Sequence, residues 1–304
     1  MEEKMLRRKI KRDARSALCN NWGKAVCILM IMLAVGVLFA LFESVISVAL
    51  GMHTFRELLF LDGYAPEAIS VTRLALSGAM LLLSFLVLAP LSIGVLQWYY
   101  RITGGESPEI SSIFAMFSSM KTYWKSIWLS FNITIRSAIW TAFLTGPGAL
   151  ILYWGVQTLR RVEGNTGKAL AITGILSGLV LFLLGTVFLL TTLSKYLLAF
   201  YLFAEGPEVK VSEAIRASLK YTWEHRFRLF GFFLSFLPWF ILCILMVPVL
   251  YVAPYLSCAT AIYARYLIQL GRSKEMEATK AYEAPVHSDA PVVDVADYNE
   301  EIRP

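Results

Sequence analysis

Long apolar runs alternate with short polar, basic stretches along the first 270 residues, and then the pattern stops. Six runs reach the roughly 20 apolar residues that a membrane-spanning helix needs. They cover about 26–50, 73–98, 137–156, 169–193, 229–247 and 249–270. Several are apolar all round, whereas a helix on a soluble core keeps one polar face. The first run follows a basic segment, but it exceeds the roughly 7–15 residues of a signal-peptide core, so an uncleaved first span is expected. Pro90, Gly146-Pro147-Gly148, Pro238 and Pro254 interrupt four of the runs. Membrane helices tolerate such breaks because neighbours re-satisfy the freed carbonyls. Residues 271–304 carry no apolar period and collect acid, which predicts a disordered acidic tail.

The polar segments contain a repeat. Arg15-Ser16-Ala17-Leu18 precedes Trp22, Phe117-Ser118-Ser119-Met120 precedes Trp124, and Arg216-Ala217-Ser218-Leu219 precedes Trp223. The tryptophans recur about every hundred residues, each just before an odd-numbered run. Gly105–Ser111 and Gly206–Ser212 match as well, placing Ser111 and Ser212 as expected helix N-caps. After Ser212, Ile215, Leu219, Trp223 and Phe227 fall on one helical face. Basic helices with tryptophan lie in the headgroup region. The fold expected is therefore all-α and polytopic, with six transmembrane helices arranged as three hairpins. An interfacial amphipathic helix precedes each hairpin, and the first of these lies within residues 1–25. Arg15, Trp22, Trp124, Arg136, Arg216 and Trp223 are the expected interfacial anchors.

Charge sets the orientation. With the N-terminus inside, the cytoplasmic segments hold twenty-one lysines and arginines and the outer loops five. The positive-inside rule then puts both termini in the cytoplasm of a cell membrane. The net charge of +6 resides in these loops, which makes anionic lipid headgroups the expected partner. Nothing reads as nucleic-acid recognition, and a protein partner or self-association stays open. Apolar residues are 57% and charged residues 16% of the chain, against about 25% charged in a soluble domain. Mean hydropathy is +0.61.

A family resemblance rests on four motifs: Asn21-Trp22-Gly23-Lys24, Ala89-Pro90-Leu91-Ser92-Ile93-Gly94, the Gly-x4-Ile-Ser stretch before the third run, and Glu213-Ala214-Ile215-Arg216-Ala217-Ser218. Their order and spacing over about residues 10–270 resemble bacterial membrane proteins of domain of unknown function 975. In outline they are also similar to the membrane domains of some glycerophosphodiester phosphodiesterases. The resemblance implies a six-helix integral membrane protein and no established activity. The region around Arg160–Lys168 and the acidic tail depart from the family's usual form.

Chemistry-bearing patterns are sparse. His53, His225 and His287 lie far apart, and the four cysteines form no C-x-x-C pair, so no metal site and no cofactor are expected. No G-x-S-x-G, H-E-x-x-H or Walker loop occurs, and no catalytic residue is assigned. Glu43, past the middle of the first span, is the one candidate intramembrane polar site. It reads either as a cation or proton site or as a hydrogen-bond partner of a neighbouring helix. Gly146, Pro147 and Gly148 read either as a helix break of the transporter kind or as a plain kink or close contact. Gly174, Gly178 and Gly185 suit close helix packing. Arg136 and Lys195 read as side chains that snorkel to phosphate. Two functions follow: a non-enzymatic protein that organises lipid or a partner, or a transporter for a small or lipid-like solute. An enzyme is disfavoured.

Overall fold

The N-terminal seventeen-residue helix α1 (Glu2–Leu18) forms because Ile10, Ala14 and Leu18 recur every fourth position and are all buried, while Lys4, Arg8, Lys9 and Arg12 stay outside. The computed structural model describes residues 2–50, 71–162, 164–206 and 208–283. After α1 come α2 (Trp22–Ala49), α3 (Val71–Ile102), a 3₁₀ helix (Ile110–Phe117), α4 (Met120–Arg161) and α5 (Asn165–Glu205). Then follow α6 (Val211–Thr222), α7 (Arg226–Leu234), α8 (Leu237–Leu242), a second 3₁₀ turn (Cys243–Leu245) and α9 (Val249–Glu283). No strand occurs among the described residues.

This is a multi-pass membrane protein. Four helices are long and apolar enough to cross a membrane: α2, Leu74–Ile102 of α3, α4 and α5. A fifth crossing exists if Arg226–Leu234 and Leu237–Leu245, bent by 41°, count as one span. α9 is not among them. Its composition has a physical reason, since Tyr255, Cys258, Ala259, Ala261, Tyr263 and Ala264 are all buried. A helix surrounded by protein need not be apolar all round.

Large apolar side chains instead cover the outside of the lipid-facing helices, among them Leu38 and Leu41 on α2, Leu81 on α3, Phe143 on α4 and Leu183 on α5. Such a surface is unstable in water and suited to hydrocarbon. The packed core lies at the end of the bundle that carries α1. There Leu18, Ile28, Leu91, Trp98, Ile113, Tyr201, Phe232 and Tyr255 form one cluster. Away from it, α4 and α5 hold together through glycines. Gly148 lies against the Phe182 backbone, Gly178 against Leu152, and Gly185 against the Leu144 carbonyl, each too close to admit a Cβ. Small residues that let backbones approach are the usual device of membrane helices.

Several expectations need correction. α4 is one continuous 42-residue helix that takes in both the expected interfacial segment and the span expected from 137. At about 1.5 Å per residue it is roughly 63 Å long, twice the roughly 30 Å hydrocarbon layer. Its charge-free stretch lies between Arg136 and Arg160, so the length itself provides the interfacial part. The first 3₁₀ helix and α6 begin after Glu109 and Lys210 without side-chain caps. Ser111 and Ser212 thus sit inside their helices; Ser111 Oγ donates to Glu109 Oε2 at 3.2 Å. The expected helical face after Ser212 is only partly covered, with Ile215 and Leu219 packed against the bundle. Ala214, Ile215, Ser218 and Thr222 are buried, while Trp223 and Phe227 are exposed.

Pro90 lies inside α3 and leaves the Leu86 carbonyl without its helical donor. Tyr123 of α4 supplies one, its hydroxyl donating to Leu86 O at 3.2 Å.

The chain divides into two units, Met1–Ile268 and Gln269–Pro304. In the second, helix continues to Glu283, with Thr279 Oγ1 donating to Glu275 O at 2.9 Å. The first part of the expected disordered tail is therefore helical. Residues 284–304 lie outside the described residues, as does the loop with His53 and Arg56.

Candidate functional site

Three basic residues of α1, Arg7, Lys11 and Arg15, are spaced four apart and so share one face. That face turns toward α7, α8 and α9. Lys11 Nζ donates to the Ser235 carbonyl at 2.9 Å and stands 4.3 Å above the Phe236 ring. Ser235 caps the C-terminus of α7, where unpaired carbonyls attract a cation. Arg7 occupies the space that a side chain at Gly231 would need. Arg15 lies 5.5 Å from the Tyr255 ring. In return α9 donates to α1: Tyr255 hydroxyl to Lys11 O at 3.4 Å and Cys258 Sγ to Ala14 O at 3.7 Å.

Aromatic rings continue the seam on both sides. Trp22 stacks on Tyr251 at 4.8 Å, and Tyr251 contacts Trp239 and Tyr255. Phe236 joins Tyr255 to Phe232, which stacks on Tyr263 at 5.0 Å. Cations over ring faces gain about 0.5–2 kcal/mol each, more as water is excluded. The seam therefore ties the N-terminal helix to the last third of the chain through charge and aromatic surface together.

Burial, and after it the charges of Arg7 and Arg15, hold the Lys11 ammonium below its usual pKa of 10.5. The sign of the linkage follows. The unfolded chain binds the Lys11 proton more tightly, so the fold gains stability as pH rises through the folded pKa toward 10.5. Lys11→Met lacks that proton. Wild type should gain stability relative to Lys11→Met across this alkaline window, read as unfolding midpoints in detergent. Parallel pH profiles for the two proteins would refute the assignment.

The other sequence candidates do not converge here. Glu43 accepts a hydrogen bond from Ser77 Oγ of α3 at 2.9 Å, at an exposed position. This is the neighbouring-helix reading of that carboxylate. Glu43→Gln keeps an acceptor for Ser77, so its unfolding midpoint should move by no more than about 0.5 kcal/mol. A large shift would reveal a buried charge site instead. Gly146, Pro147 and Gly148 do not break a helix; α4 runs through all three. Gly148 serves the close contact with α5. Trp124 and Trp223 are exposed, as are Arg136 and Arg216, while Trp22 is half-covered in the seam. Arg216 Nε donates to Ser212 O at 3.4 Å. Among the described residues no three His, Cys, Asp or Glu side chains gather as a metal site.

The motif Ala89–Gly94 is almost wholly buried, and Gly94 is where α3 meets the first 3₁₀ helix, its position overlapping any Cβ with the Ile113 carbonyl. A family model described as "Protein of unknown function (DUF975)" matches residues 5–270. The chain belongs to this family. No curated protein and no solved structure matches it. The DUF975 region takes in every residue of the seam, from Arg7 to Tyr263, and stops short of the end of α9.

In the sequence Lys11 and Arg265 count only as positive charges that orient the chain and Arg15 as an interfacial anchor, and none of the three reads as a partner of a distant helix. The available signal was the alternation on α1, where Arg7, Lys11 and Arg15 border the buried stripe of Ile10, Ala14 and Leu18.

Proposed function

We propose that this chain is a non-enzymatic protein of the cell membrane that gathers anionic lipid at its cytoplasmic face. In this reading both termini lie inside, whether α7–α8 and α9 cross the membrane or only dip into it. One observation carries it. α1 is fixed to the bundle by Ile10, Ala14 and Leu18, which leaves Lys4, Arg8, Lys9 and Arg12 exposed on its outer side. On α6, packed at the same end of the bundle, Arg216 is exposed as well. Each such cation near an anionic leaflet contributes about 1 kcal/mol of attraction.

The test is lipid enrichment around the reconstituted protein. Energy transfer from its tryptophans to labelled phosphatidylglycerol should exceed that to labelled phosphatidylcholine in mixed vesicles. Replacing Lys4, Arg8, Lys9 and Arg12 together by glutamine should remove most of the excess, as should high salt. Equal transfer to both lipids in the wild type would sink the proposal.

A further inference from the structure

The position of α1 fixes the depth of the helices it touches. Its outer side carries Lys4, Arg8, Lys9 and Arg12, all exposed. Four exposed cations keep a helix out of hydrocarbon and at the headgroup level. Its other side meets the middle of the stretch from α7 to α9. Lys11 Nζ donates to the Ser235 carbonyl at 2.9 Å and stands 4.3 Å from the Phe236 ring, and Arg15 lies 5.5 Å from the Tyr255 ring. Ser235, Phe236 and Tyr255 therefore lie near the headgroups as well.

A second mark of depth agrees. Trp22 and Lys24 open α2, and Lys24 Nζ donates to Pro108 O, in the segment after α3, at 3.4 Å. From Ala25 to Phe42 α2 is free of charge, which is about 27 Å of helix and close to the roughly 30 Å of hydrocarbon. Trp22 thus marks the boundary on the side of α1. It stacks on Tyr251 at 4.8 Å, and Trp239 lies 5.9 Å from Tyr251. Both arms of the α8–α9 hairpin are still at that boundary at Trp239 and Tyr251. From Trp239 to Leu245 the chain advances only about 10 Å, at 1.5–2.0 Å per residue. It then reverses at Met246, φ 58°, where the Val247 N–H donates to Leu245 O at 2.7 Å. That depth is about a third of a crossing. Farther along α9, Arg265 donates to Tyr100 O and Thr103 Oγ1 at the end of α3. α9 thus leads away from the hydrocarbon, not through it.

The tip is nevertheless apolar throughout. Ile241, Ile244, Leu245, Met246 and Val247 are all exposed, and no charge occurs from Leu229 to Ala264. A patch of this kind needs an apolar partner, and at its depth that partner is lipid hydrocarbon.

We infer that residues 236–251 form a re-entrant hairpin whose tip of Ile244, Leu245, Met246 and Val247 is wedged among the acyl chains of the one leaflet on which α1 lies. The inference rests on the membrane reading above and does not use the attraction of α1 for anionic lipid. It adds a second grip on the same leaflet: cations at the headgroups and an apolar wedge beneath them.

The experiment asks from which side a cysteine at the tip reacts. Met246→Cys and Asn165→Cys are made in the full-length chain, which keeps its own cysteines. A membrane-impermeant maleimide is added to intact cells, to broken membranes and to protein in denaturing detergent, and labelled sites are read by peptide mass spectrometry. Asn165 is exposed where α5 begins, and Cys19 is exposed between α1 and α2. Asn165→Cys should react in intact cells, and Cys19 only in broken membranes. Met246→Cys should react at least about ten-fold more slowly than either until the bilayer is dissolved, because the reactive form is the thiolate, which hydrocarbon excludes. Val247→Cys, at a second exposed tip position, should behave in the same way, so that no single variant decides the result. Labelling of the tip in intact cells at the rate of Asn165→Cys would mean a full crossing and overturns the inference. Labelling in broken membranes at the rate of Cys19 would place the tip in water and overturns it too. An inverted chain would exchange the labelling of Cys19 and Asn165→Cys and still leave the tip silent, so failure of the orientation and failure of the hairpin are separable.

Discussion

Gly94→Ala should destabilise the protein by about 1–3 kcal/mol, the usual range for forcing atoms into a packed contact. Helix propensity alone predicts the reverse, because alanine is favoured over glycine in a helix interior by about 1 kcal/mol. The sign therefore decides between local preference and tertiary contact. At Gly94 the new methyl would overlap the Ile113 carbonyl oxygen and come within 2.8 Å of its carbonyl carbon. Both atoms are backbone, so no flexible side chain can swing aside. α3 and the first 3₁₀ helix would have to part, uncovering Ile113 and Leu91. Parting would also strain the 3.3 Å bond from Trp98 Nε1 to Pro108 O. Gly36 in α2 has open space around it, so Gly36→Ala should be neutral or stabilising. Unfolding midpoints of the two variants in the same detergent provide the check. A higher midpoint for Gly94→Ala would show that the two backbones do not meet there.

The second large effect is expected at Arg265. Its Nε donates to Thr103 Oγ1 at 3.2 Å, an Nη2 hydrogen donates to the Tyr100 carbonyl, and the guanidinium lies 4.2 Å from the Tyr100 ring. Tyr100 belongs to the last turn of α3, and its carbonyl also accepts from Thr103 Oγ1 at 2.8 Å. The turn that follows is closed by Arg101 Nε on Glu106 Oε2 at 2.7 Å and by Gly105 at φ 86°. The positive φ favours glycine. Arg265 thus caps one helix from another. Hydrogen bonds from charged groups contribute about 1.5–3 kcal/mol each, so Arg265→Ala should lower stability by about 2–4 kcal/mol. Arg265→Lys keeps the charge but not the planar fork, and should restore less than half of the loss. Arg136→Ala, at an exposed arginine with no ion pair among the described residues, is the comparison. Equal losses at both positions would mean that Arg265 caps nothing.

Much of the helical layout is legible in the sequence because long apolar runs have few alternatives. The first four runs appear as α2 to α5, and of the three glycines that suit packing, Gly178 and Gly185 meet the α4 backbone while Gly174 has only an ordinary contact with Gly155 at 3.9 Å. Which residues of a helix pack against its neighbours is less legible. On α6 Ile215, Leu219, Trp223 and Phe227 share one helical face, yet Ala214, Ile215, Ser218 and Thr222 are the buried residues and Trp223 and Phe227 are exposed. In lipid a large apolar side chain gains nothing special from burial, while a small or hydroxyl residue lets two backbones meet. Ser218 shows this directly, since its Oγ donates to the Lys195 carbonyl of α5. The same logic hid the character of α9, whose tyrosines lower its hydropathy because they face protein. Arg265 and Lys11 were invisible as caps, because the carbonyls they serve lie more than 160 residues away in the chain.

The bonds that hold α1 in place impose an order on assembly. Lys11 to Ser235, Tyr255 to Lys11 and Cys258 to Ala14 join residues 224 to 244 positions apart. Synthesis proceeds at about 5–20 residues per second, so the first helix emerges roughly ten to fifty seconds before its partners exist. During that interval Lys11 has no Ser235 to meet, and the N-terminal segment can only wait, its stripe of Ile10, Ala14 and Leu18 uncovered. The N-terminus, made first, is among the last parts to be locked.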